Sequence, residues 1–83
     1  MSYVNNSCHA VLNFLSHQER GKSFNSVRVL QILDIRPIYH DEIISKLEKL
    51  GLIEVAASNE GVAVTLLEEG YEFVEMSRQF KES

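Results

Sequence analysis

Residues 41–76 read DEIISKLEKLGLIEVAASNEGVAVTLLEEGYEFVEM, and the spacing of apolar positions changes twice along this run. At first Ile43, Ile44, Leu47 and Leu50 recur at helical intervals, which leaves Glu42, Ser45, Lys46, Glu48 and Lys49 for solvent. Gly51 ends that helix, because glycine takes up the positive φ at which helices commonly stop. Beyond it, residues 52–57 and 62–66 are short β-prone runs separated by the turn-forming Ser58-Asn59-Glu60-Gly61. Helical spacing then returns over residues 67–82, with Leu67, Tyr71 and Val74 on one line and Phe73, Met76 and Phe80 on a neighbouring one. The stretch therefore predicts a helix, a two-stranded hairpin and a second helix.

Upstream, Val4, Cys8, Val11, Leu12 and Leu15 space a first amphipathic helix from Tyr3 to about His17. Residues 18–23, QERGKS, break it and are expected to form a flexible connection. A second helix is predicted to start at Asn25 or Ser26, either a suitable N-cap, and to run through Val27, Leu30 and Leu33 to Asp34. Ile35-Arg36-Pro37 is the turn, since proline at the start of a helix forfeits no hydrogen bond. Helices two and three then make a helix-turn-helix. The expected fold class is α+β: a winged helix built as a three-helix core, a two-stranded β-hairpin wing and a C-terminal helix, all within one domain over residues 1–83.

LEKLGLIE, the hairpin and LLEEGYEFVEM resemble the MarR-like and PadR-like winged-helix transcription regulators. Their recognition helix ends in a similar L-E-K-x-G-L-I phrase, and their second wing strand runs into L-T-E-E-G. Leu66-Leu67-Glu68-Glu69-Gly70 stands at the matching place, with Leu67 where that family has threonine. The lost N-cap hydroxyl is replaceable by a capping box of Thr65 with Glu68. The resemblance spans about residues 24–76 and implies double-stranded DNA as partner, a homodimer and repression by occlusion of an operator.

Eighty-three residues make one small domain with no room for a separate catalytic unit. No apolar segment is long enough to span a bilayer, so no membrane association is expected, and the first residues lack the basic and apolar regions of a secretory signal. The single cysteine cannot form an internal disulfide, which fits a cytoplasmic location. Cys8 lies on an apolar stripe, as a small core residue does. Cys8, His9, His17 and His40 have no recognised zinc spacing, and Gly21-Lys22-Ser23 lacks the strand and glycine of a phosphate loop. No cofactor, metal or enzymatic activity is expected.

In a DNA reader the third helix enters the major groove while flanking cations hold phosphates. The candidate DNA-binding residues are Tyr39, Glu42, Ser45 and Lys46 on that helix, Arg28, Arg36 and Lys49 for phosphate, and Asn59 at the wing tip. His40, one turn before Ile43 and Ile44, reads as structural. Tyr71, Phe73, Val74, Met76 and Phe80 are the candidate dimerisation face. Charge opposes this reading: the net is −4, with +1 over residues 1–49 and −5 over residues 50–83. MarR-like readers carry hydroxyl, amide or arginine side chains where Asp41 and Glu42 stand. The alternative is a winged-helix protein-interaction module, without DNA binding, whose acidic wing and final helix dock on a basic partner.

Overall fold

The computed structural model describes residues 3–82, with side chains described through residue 79. Helix α1 (Tyr3–Ser16) forms on the predicted stripe, and Val4, Cys8, Val11, Leu12 and Leu15 are all buried. It lies against both other long helices, α3 (His40–Lys49) and α4 (Glu68–Glu82). Helix α2 (Ser26–Ile32) is capped by Asn25, whose Oδ1 accepts from the Arg28 backbone N–H. It is shorter than predicted because Asp34 takes a left-handed φ of 56°. The N–H groups of Asp34 and Ile35 then reach back to the carbonyls of Gln31 and Leu30 at 3.0 and 2.9 Å. The same closure ends α3, where Gly51 (φ 74°) and Leu52 donate to Glu48 and Leu47. In both places the residue after the left-handed one, Ile35 or Leu52, turns into the core.

Leu50 departs from its predicted place on the buried stripe of α3 and is 60% exposed. It is the C-cap of that helix, and the chain reversal at Gly51 delivers Leu52 to the interior instead. Pro37 opens a short 3-10 turn, Pro37–Tyr39, that leads directly into α3.

The sheet corrects the predicted two-stranded wing. Strands β2 (Ile53–Ser58) and β3 (Gly61–Leu66) pair antiparallel with Ser58 opposite Gly61, so Asn59 and Glu60 alone form the loop. A third strand, β1 (Ser23–Asn25), covers the other edge of β3 in the order β1-β3-β2. Half-buried Phe24 packs on the core, and the Ser23 and Thr65 hydroxyls meet at 2.6 Å. Pairing with β1 satisfies backbone groups that an edge strand would leave open. The connection before it is tied down rather than loose: the Arg20 guanidinium lies 2.7 Å from a Glu68 carboxylate oxygen and 4.0 Å from the centre of the Tyr71 ring.

That pairing also removes the expected capping box, since the Thr65 hydroxyl is engaged with Ser23 inside the sheet. Helix α4 is started instead by the Leu67 carbonyl, which accepts from the N–H groups of Gly70 and Tyr71, while Leu67 N–H donates to the Leu52 carbonyl. Glu68 and Glu69 in the first turn suit the positive end of the helix dipole. Gly70 is buried where α4 crosses the sheet, and a Cβ there would stand 2.4 Å from the Leu52 carbonyl oxygen and 2.3 Å from Leu66 Cδ1. The core beneath joins Val11, Leu12 and Leu15 to Val29, Leu30, Ile43, Leu47, Ile53 and Val64.

Candidate nucleic-acid interface

With Ile43 and Leu47 in the core, the roughly 100° step of an α-helix carries Glu42, Ser45 and Lys49 to the solvent side of α3. Ile38, in the turn that feeds the helix, continues this line and is 83% exposed. The spacing Glu42, Ser45, Lys49 is i, i+3, i+7, the pattern of one helix face, and Ile38 stands in the 3-10 turn just ahead of it. Asp41 and Glu48 flank it and are also exposed.

Two predicted groove contacts are engaged elsewhere. Tyr39 is half-buried with its ring 4.9 Å from that of Tyr3. Lys46 reaches back to α1, where its ammonium donates to the Asn5 side-chain oxygen. Both belong to the flank of α3 facing α1, a consequence of their positions four residues before Ile43 and three after it.

Arg28 on α2, Arg36 at the turn and Lys49 at the end of α3 are exposed, and none forms an ion pair among the described residues. Tyr3 positions the turn, because its hydroxyl accepts from the Arg36 backbone N–H at 3.1 Å. His40 is structural as expected: the ring Nε2 carries its hydrogen toward the Ile35 carbonyl at 3.0 Å. The wing tip offers Asn59 and Glu60, and no lysine or arginine stands between Lys49 and Arg78. Sequence reasoning missed Ile38 and Tyr3. The signal for Ile38 was its place directly after Pro37, in the turn that precedes the third helix.

A concavity of 630 Å³ lies between α1 and α4, floored by Leu12 and Val74 and rimmed by His9, Phe73 and Arg78. The Arg78 guanidinium donates to His17 Nε2 at 3.2 Å, and His17 Nδ1 donates to the Asn13 carbonyl at 2.7 Å. Of the candidate dimerisation residues, Val74 is buried in the domain's own core and Tyr71 is half-buried under Arg20. Phe73 and Met76 are exposed, and the Phe80 side chain lies outside the described residues. Cys8 is buried on the side of α1 that faces Lys46 and Leu47, and desolvation pushes its thiol pKa up, with Lys46 opposing and Glu42 reinforcing the shift. That disfavours the reactive thiolate. No group of three or more histidine, cysteine or carboxylate side chains among the described residues is arranged to hold a metal ion. No helix among them is long and apolar enough to cross a membrane.

This arrangement of helix-turn-helix, hairpin and following helix has close counterparts among solved structures. MepR, a transcription regulator of the Staphylococcus aureus multidrug efflux pump MepA, superposes with a TM-score of 0.74 over 93% of this chain at 21% identity. The fold is a winged helix. MarR matches with a TM-score of 0.73 over 96% of the chain at 18% identity. A GntR family transcriptional regulator from Listeria monocytogenes matches at 0.68 over 99% of the chain with 20% identity. The chain spans 58% of the MepR chain and 56% of the MarR chain. No protein-family model matches the sequence, and sequence comparison with curated proteins finds no match.

Proposed function

We propose that this winged helix is a cytoplasmic DNA-binding domain of a transcription regulator, acting as a homodimer that occludes an operator. The observation that carries the reading is the shared body: 93% of the chain superposes on MepR, which is a transcription regulator. The solvent face of α3 is the groove-facing surface, and Arg28, Arg36 and Lys49 supply the phosphate contacts. Asn59 reaches the backbone beside the wing. Tyr39 and Lys46 act indirectly, by holding α3 against α1.

Three cations form a small phosphate-binding set, and Asp41, Glu42 and Glu48 reduce attraction to any duplex. Non-specific affinity is therefore low, and binding depends steeply on matching the right bases.

Titration of the 83-residue protein with a random-sequence duplex, at low and then moderate salt, tests this reading. The expected result is binding that weakens with salt. Arg36→Ala and Lys49→Ala each lower affinity across all sequences and each reduce the salt slope by about 0.9. Absence of binding by the native chain at low salt overturns the proposal.

A further inference from the structure

Resting on the DNA reading above, we infer that α3 selects a site in which a thymine and a cytosine lie within about two base steps, Ile38 covering the thymine methyl and Glu42 accepting from the cytosine amino group. Two features of the structure support this. Ile38 is 83% exposed, the most exposed of the large hydrophobic side chains described, and stands at the leading end of the reading face. Glu42 is one turn further along the same line. With Tyr39 engaged by Tyr3 and Lys46 by Asn5, and with Asp41 on the flank, these two are the leading exposed side chains on the line of the reading face.

Chemistry narrows the bases. An ionised carboxylate has no donor, so it cannot pair with guanine N7 and O6 or with thymine O4. It accepts only from an exocyclic amino group. In adenine that group stands between two acceptors, its own N7 and the O4 of the paired thymine, both of which repel a carboxylate, whereas the cytosine amino group has an acceptor on one side only, the O6 of its paired guanine, and a C–H edge on the other. Ile38 has no hydrogen-bonding group, so it gains only from an apolar feature of the groove, and the thymine C5-methyl is the one that the four bases offer. The four residues from Ile38 in the 3-10 turn to Glu42 in α3 rise about 6–8 Å, roughly two base steps of about 3.4 Å, so the two bases are close neighbours. The carboxylates also weaken every non-cognate complex, which widens the ratio of specific to non-specific binding.

The test is site selection from a random duplex pool by the native protein, Ile38→Ala and Glu42→Gln, followed by titration of the selected duplex with single thymines replaced by deoxyuridine. Both positions are exposed, and thermal melting checks that the variants remain folded. The native protein is expected to lose about three- to fivefold in affinity when one particular thymine loses its methyl, and Ile38→Ala is expected to be indifferent to that change. Glu42→Gln is expected to exchange its cytosine preference, worth about tenfold, for adenine, because glutamine pairs with adenine N6 and N7. A merely structural role would not move a base preference. An unchanged preference in either variant overturns the assignment of that residue while leaving DNA binding intact. Failure of the native protein to retain any duplex at low salt overturns the DNA reading and this inference together.

Discussion

Gly70 is where one atom decides whether two elements fit. It is buried, its φ is ordinary, and its importance comes from the space a side chain would need: the nearest obstacle to a Cβ includes the Leu52 main-chain oxygen at 2.4 Å. A flexible side chain such as Leu66 can move, but that carbonyl already accepts from Leu67 N–H and is fixed by the sheet. Gly70→Ala is therefore expected to lift the start of α4 from the sheet and cost about 1–3 kcal/mol, measured by chemical denaturation. An unchanged midpoint would mean that α4 approaches the sheet less closely. The glycine of the L-L-E-E-G phrase was legible in the sequence as part of a resemblance. Its reason was not, because a close approach between residues 52 and 70 has no local pattern. Leu50 shows the same limit: helical spacing placed it inside, and the reversal at Gly51 gave its place to Leu52.

At the scale of elements, the position of the helix-turn-helix depends on α1 more than on its own two helices. Tyr3, in the first turn of α1, holds the Arg36 backbone through its hydroxyl and the Tyr39 ring through a tilted ring contact, while Asn5 holds Lys46. Tyr3→Phe keeps the ring contact and removes only the hydrogen bond. It is expected to cost about 0.5–1.5 kcal/mol in thermal or denaturant unfolding and to loosen hydrogen-exchange protection at Arg36. Full native protection at that amide in the variant would sink this account of the turn. The α1, α2, α3 and α4 segments were each readable from apolar spacing, and the Asn25 cap was readable from residue type. Strand β1 was not, since three residues of SFN carry too little pattern to distinguish a strand from a connection. They become a strand because β3 presents a free edge within reach.

For the whole molecule, exposed large apolar side chains other than Tyr3 occupy two places, Val27, Ile32, Ile38 and Leu50 around the α2–α3 side and Phe73 and Met76 on α4. The cations Arg28, Arg36 and Lys49 surround the α2–α3 side, while Phe73 and Met76 are exposed on α4 and Phe73 faces the groove toward α1. The proposed homodimer would use this α4 face, leaving the reading helix of each copy free. Met76→Glu together with Phe73→Glu is expected to shift the protein to monomer in sedimentation velocity without unfolding it, as both side chains are outside the buried core. A native protein that sediments as a monomer at high concentration would exclude this dimer. By itself the sequence determined the helices, the hairpin and the winged-helix order, because 3.6-residue and two-residue apolar spacing, caps and turn residues act over a few neighbouring positions. Only the tertiary structure decided which polar residues remain available on α3, that β1 completes the sheet, and that Val74 belongs to the core. Those outcomes depend on contacts between residues far apart in the chain, such as Asn5 with Lys46, Ser23 with Thr65 and Leu52 with Gly70, and local spacing carries no information about which distant partner arrives.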